Sequence, residues 1–263
     1  MPRLHTNNRT AGVIVVVLLM LFLVYQLVLS VRNGLALLYA MPATALMDQW
    51  QDAEEEREDM NEVFIPDTAE WQAVSHNLER ARELAPNDPD YHAESGRLSQ
   101  FRLQDESLEI EEIEALNAEL LAHYQQAAYF RPTWPYYWWD IALAEYDSYH
   151  TYTDTYHEAL QNLTRFGPWD SDAQYFLAEV SLETWESLDA ATQQVALENI
   201  ERALQRQPNE TSELIEEYDA WDMLCSGIAA HELVPSRAHS NISENCSLYG
   251  GSEAGRKSHG TND

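Results

Sequence analysis

The sequence predicts an all-α protein, with one N-terminal transmembrane helix followed by an irregular α-solenoid of helical hairpins. Three observations predict it. Residues 11–31, AGVIVVVLLMLFLVYQLVLSV, carry no charge, and about 20 apolar residues rising 1.5 Å each suffice to cross a hydrocarbon layer. Only two glycines, Gly96 and Gly167, lie between Leu35 and Ser226, and alternating Val/Ile/Thr runs bounded by Gly-rich turns do not occur there. The strand signature is therefore missing. Finally, one stripe recurs four times ahead of a proline: Val74, Leu78, Ala81 before Pro86; Leu120, Tyr124, Ala127 before Pro132; Tyr156, Leu160, Leu163 before Pro168; and Ala196, Ile200, Ala203 before Pro208. Steps of four and three keep these residues on one helical face, and each proline stops the helix behind it.

Composition narrows the partners. The net charge of -30 comes from 45 acidic and 15 basic residues, and the only lysine is Lys257. A nucleic-acid partner requires a basic stripe, and the arginines do not form one. The acidity reads as a solvated, self-repelling surface.

In chain order, residues 1–10 are short and polar with Arg3 and Arg9, and read as a cytoplasmic N-terminus. Residues 11–31 are the membrane helix. A cleaved signal peptide is the competing reading, because Ala43-Thr44-Ala45 has the A-x-A form. The apolar run is longer than an h-region and ends well before that site, which favours a retained anchor. The positive-inside rule places the chain from about residue 35 onward across the inner membrane, in a bacterium the periplasm. Residues 32–66 form a membrane-proximal acidic helix or linker. Its run Glu54-Glu55-Glu56 is a solvated face, since neighbouring carboxylates on a helix do not point the same way.

Residues 67–234 are the repeat domain. Its first stripe ends at Pro86, and Asn87-Asp88-Pro89 supplies a turn, an N-cap and a first-turn proline for the next helix. Gly96 is a place where two helices can approach closely. The segment Phe130–Trp139, FRPTWPYYWW, joins two hairpins: Pro132 stops one and Pro135 starts the next. A third hairpin runs to Gly167-Pro168, a fourth to Pro208, and a last helix over 212–230 caps the stack. Residues 235–263 lose periodicity and read as a flexible tail. Cys225 and Cys246 are the only cysteines. In an oxidising compartment they form one disulfide; two free thiols are the alternative.

The chain carries no G-x-S-x-G elbow, Walker loop or dinucleotide fingerprint, so no catalytic, cofactor-binding or metal residue is assigned and a non-enzymatic role is expected. His150 and His157 stand seven apart amid tyrosines and aspartates, but zinc ligands favour closer pairs. The pair His231-Glu232 is read as favourable charge at a helix end. Trp134, Tyr136, Tyr137 and Trp139 are the candidate contacts for a glycan or a partner, because aromatic faces stack on sugars; Tyr149, Tyr152 and Tyr156 extend that surface if they share its face. Packing between hairpins is the competing reading for all of these and the preferred one, with Trp138 at a repeat core position, and Trp185 and Trp221 are read the same way.

The stripe and its closing proline resemble the tetratricopeptide repeat. Successive stops stand 46, 36 and 40 residues apart, against 34 in that family, with the extra length greatest around residues 104–114. The segments NDPDYHAESGRL, FRPTWPYYWWDIALAEY, GPWDSDAQYFLAEVSLETWESLD and ALENIERALQRQP, with one N-terminal anchor and a late cysteine, are similar to the VpsP-type proteins of bacterial exopolysaccharide biosynthesis clusters. That resemblance covers residues 71–225. It implies a membrane-anchored scaffold or adaptor in polysaccharide synthesis or export, with envelope proteins of that machinery as partners. The alternative is a glycan-binding protein that contacts the nascent polymer through its aromatics. The family motif is structural, so no functional residue is carried over from it.

Overall fold

Helix starts in this chain are set by short oxygen-bearing side chains. Asp67, Asp88, Thr153, Asp170 and Asp189 each accept hydrogen bonds from backbone N–H groups at the first turn of the following helix, groups that no intrahelical partner satisfies. Part of the acidic surplus is thus spent on N-caps, where carboxylates also meet the positive end of the helix dipole. The computed structural model describes residues 7–58, 64–105, 107–149, 152–229, 242–243 and 245–246, and no strand occurs among them. Its helices are α1 (Asn7–Glu58), α2 (Thr68–Leu84), α3 (Pro89–Leu103), α4 (Ile110–Phe130), α5 (Pro135–Tyr149), α6 (Asp154–Phe166), α7 (Ser171–Glu183), α8 (Ala190–Arg206), α9 (Pro208–Glu217) and α10 (Trp221–Ala229), with a 3₁₀ turn at Trp185–Ser187. The chain divides into two compact units after His123, inside α4.

The first unit is organised on α1. This 52-residue helix is roughly 78 Å long at 1.5 Å per residue. Its first part is exposed apolar surface, from Val13 to Val28, and it is long and apolar enough to cross a membrane. The same helix then continues without a break into the folded unit. Ala36, Ala40, Ala43, Met47 and Trp50 are at most 3 % exposed, and their steps of four and three repeat every 3.5 residues, the seam of paired helices. Opposite them lie Val74, Leu78 and Ala81 of α2. The pairing is antiparallel: Arg32 reaches the Glu83 carbonyl, and Trp50 Nε1 donates to Glu70 at 3.3 Å. Leu98 and Phe101 of α3 close the lower core and Tyr91 the upper. Pro42 lies inside α1, where it removes one helical hydrogen bond; it is exposed, on the side away from that core.

In the second unit α5 pairs with α6 and α7 with α8. The first members of the pairs line up, α5 beside α7 and α7 beside α9, while α6 packs against α7 and α8. The twelve residues of the recurring stripe are all between 0 and 3 % exposed across the two units. The expected capping helix over 212–230 is in fact two. Pro208 is the first residue of α9 rather than only a stop, and Asp219 turns the chain at φ 50°, a left-handed conformation that Asp tolerates better than most residues. Trp185 and Trp221 are core residues at 7 and 4 % exposure. Cys225 and Cys246 are disulfide-bonded, with their Cα atoms 5.5 Å apart.

Gly167 ends α6 beside the start of α5. A Cβ there would stand 3.0 Å from the Leu163 carbonyl oxygen and 3.1 Å from Pro135 Cβ. Both neighbours belong to rigid parts of the chain, so Gly167→Ala is expected to lower the unfolding free energy by about 1–3 kcal/mol. Thermal unfolding followed by circular dichroism checks this; an unchanged midpoint would show that the joint has slack.

Candidate functional site

The first helices of the second unit share an unusual composition. Helices α5, α7 and α9 contain no lysine or arginine at all. Their carboxylates therefore face a surface with few opposing charges of its own.

Onto this surface the join at Pro135 delivers an aromatic row. Pro135 starts α5, which sets Tyr136 and Trp139 one turn apart. Trp134 and Tyr136 are exposed at 43 and 42 %, with ring centroids 5.5 Å apart, and Tyr136 is 6.5 Å from Trp139. Trp139 is half-buried because it stacks flat on Phe176 of α7, at 4.4 Å and 7° between planes. Beyond the pair opens a cleft of about 450 Å³, lined by Trp139, Tyr175, Phe176, Asp172, Glu179, Gln207 and Glu210. It has an aromatic wall and carboxylates around the mouth.

The electrostatics follow from that crowding. Tyr136 donates its hydroxyl to the Asp170 carboxylate, and this bond first, then burial and the Asp170 and Asp172 charges, raises the Tyr136 pKa. Burial tends to raise Asp170, but the N–H groups of Ala173 and Asp172, the Tyr136 hydroxyl and the Arg206 charge outweigh it and hold the carboxyl below its ordinary value. Burial and then the carboxylates of Glu179, Glu217, Glu210 and Glu213 raise Tyr175. Further along, Tyr146 and Tyr218 both donate to Glu183. Burial, followed by Glu183, pushes Tyr218 up to about 12, and the same causes raise Tyr146. Every tyrosine on this face remains a neutral donor at physiological pH. Two arginines border this face from outside its helices: Arg131, whose guanidinium lies 5.9 Å from the Trp134 ring centroid, and Arg206 at the end of α8, which donates to the carbonyls of Trp169 and Pro168.

Of the four predicted contact residues, Trp134, Tyr136 and Trp139 form this row. Tyr137 does not. It is 3 % exposed and turned into the unit, where the Arg131 guanidinium donates to its hydroxyl at 3.2 Å. Extension by the later tyrosines is also corrected. Tyr152 lies between α5 and α6, and Tyr156 is fully buried with its hydroxyl 3.2 Å from the Thr184 hydroxyl. His157 lies on α6, which begins at Asp154. His150 lies outside the described residues, as do His231, Glu232 and most of the expected tail. His157 Nδ1 is 3.8 Å from Asp189, the α8 N-cap. Among the described residues no group of three His, Cys, Asp or Glu side chains is placed to hold a metal ion.

The sequence reading missed Tyr175, Phe176 and Glu179 of α7. A signal was present: the block DAQYFLAEV repeats the aromatic-pair-then-apolar pattern of YYWWDIALAEY at the same position in the next hairpin. Phe176 and Glu179 recur at helical spacing with Asp172. No protein-family model matches the chain, and no curated protein matches it.

Proposed function

We propose that this protein is a membrane-anchored, non-enzymatic scaffold with a tetratricopeptide-like periplasmic domain, acting in exopolysaccharide synthesis or export. The observation that supports it is the α5, α7 and α9 face, whose helices bring aromatic rings and carboxylates together and contribute no basic residue of their own. Stacked helix pairs present such a face to extended or helical segments of a partner. The complementary segment carries arginine or lysine for the carboxylates and apolar side chains for the Trp139–Phe176 step. Electrostatic steering then raises its on-rate and makes capture salt-sensitive. An anionic polymer would be repelled by the same charges.

The test places a photoreactive residue at Tyr175 in living cells. Capture of a synthase, chain-length or export component is expected, and the double variant Glu179→Lys/Glu210→Lys is expected to reduce it at least about tenfold, as loss of charge-assisted contacts implies. Full capture by that variant in a folded protein would overturn the reading.

The Trp134, Tyr136, Trp139 row also favours a second reading, direct contact with a neutral glycan. In that case Trp139→Ala abolishes polymer binding while the helical circular dichroism signal stays intact, and photo-cross-linking returns carbohydrate instead of protein.

A further inference from the structure

The continuity of α1 fixes which part of the first unit meets the bilayer. A cleft of about 470 Å³ is lined by Tyr25, Leu29, Arg32 and Asn33 of α1 and by the turn Leu84–Pro89 between α2 and α3. Tyr25 and Leu29 belong to the apolar run, and about 20 helical residues span the hydrocarbon. With the run beginning near Ala11 the hydrocarbon ends near Val31, so Arg32 and the turn beside it stand just past that boundary, with Tyr25 about 9 Å deeper. The α2–α3 turn therefore lies in the headgroup layer.

The cleft gathers complementary charges at that depth. Arg32 makes one long contact, 3.4 Å to the Glu83 carbonyl, and the residue is exposed. On the other wall Asp88 uses a carboxylate oxygen to cap α3 through the Asp90 N–H at 3.1 Å. Helix α2 also ends here, so the negative end of its dipole adds to the Asp88 side. Tyr25 and Leu29 continue the floor toward the membrane.

We propose that this cleft binds a zwitterionic phospholipid with a primary ammonium headgroup, phosphatidylethanolamine in chemical class. Arg32 takes the phosphate, by charge-assisted hydrogen bonds that guanidinium geometry suits. Asp88 and the α2 carboxyl end take the ammonium, whose N–H donors a quaternary choline lacks. An acyl chain follows Leu29 and Tyr25. Phosphatidylglycerol binds less well because its glycerol hydroxyls offer Asp88 only neutral donors in place of a cation, and its net charge meets the field of an acidic protein. The site rests on the reading of α1 as a retained span.

The experiment uses the full chain in nanodiscs containing equal amounts of phosphatidylethanolamine, phosphatidylcholine and phosphatidylglycerol, followed by gentle detergent extraction and native mass spectrometry of the lipid retained. Wild type is expected to retain the ethanolamine lipid about tenfold over the other two, the magnitude of one charge-assisted hydrogen bond. Arg32→Gln is expected to lose most retention. Asp88→Asn keeps an N-cap acceptor, and is expected to lose the preference for ethanolamine over choline while the helices stay formed. Equal retention of all three lipids by wild type, or unchanged selectivity in both variants, overturns the site. Alkaline carbonate extraction of membranes from cells tests the span separately: release of the full-length chain overturns the span and the lipid site together, while firm retention with equal lipid binding overturns the site alone.

Discussion

Leu160→Ala is expected to lower the unfolding free energy by about 2–5 kcal/mol, the range for a leucine truncated in a closed core. Leu160 is 1 % exposed on α6, in the middle of a stripe that packs α6 against its neighbours. Total stability of a domain is about 5–15 kcal/mol, so this single change removes a large part of it. Guanidinium titration should move the midpoint with little change in slope, because the surface exposed on unfolding is nearly the same. Tyr129→Ala is the control: Tyr129 is 76 % exposed, and its loss is expected to matter by no more than about 0.5 kcal/mol. If the two variants unfold together, the stripe is not the core of the repeat.

That stripe was legible in the sequence because it obeys two rules at once. Helical spacing sets the face and a proline sets the end, and all twelve positions are buried at 3 % exposure or less. Pro42 shows where the same rules fail. A lone proline argues for a stop, yet α1 passes through it because the Ala36, Ala40, Ala43, Met47, Trp50 seam is clamped by α2. Tertiary packing overrode a local preference, and nothing in residues 32–66 alone names the helix that supplies it. The split of the expected last helix at Asp219 is the opposite case. No glycine or proline marks the turn, and an aspartate in the left-handed region leaves only a weak trace in sequence.

The candidate site was half legible for a similar reason. Aromatics next to a helix-starting proline are conspicuous, but which of them face outward depends on the exact helical phase. Tyr136 and Tyr137 are adjacent and chemically alike, and one is 42 % exposed while the other is 3 % exposed. The partners that turn the row into a cleft come from α7, more than 30 residues later in the chain. Only the stacking of α5 beside α7 brings Phe176 under Trp139. The absence of basic residues from α5, α7 and α9 can be read directly, but only once their shared face is known.

Acidification from pH 7 to 5 is expected to destabilise the first unit by about 2 kcal/mol through one residue, His123, on α4. Burial first, then the charges of Arg82 and His92, pulls its pKa from 6.5 to about 4. The His92 ring stands 6.1 Å away. Glu119 lies 3.6 Å from Nε2 and pulls the other way, but its side chain is 59 % exposed and water screens that attraction. With the folded pKa below the unfolded one, the unfolded chain binds more protons between about pH 6.5 and 4. Stability is complete above 6.5 and falls as pH drops through that window, by a ceiling of about 3 kcal/mol. Glu94 works oppositely. Burial raises its pKa despite Arg97, so its protonation favours the folded state as pH falls. The lowered carboxyls of Asp105, Asp170 and Asp189 begin to cost stability only near and below pH 4, outside the histidine window. The variant His123→Gln isolates the effect: urea midpoints at pH 7 and 5 should differ in wild type and converge in the variant. An equal pH dependence in both would mean that His123 titrates normally, and that the packing around it is open to water.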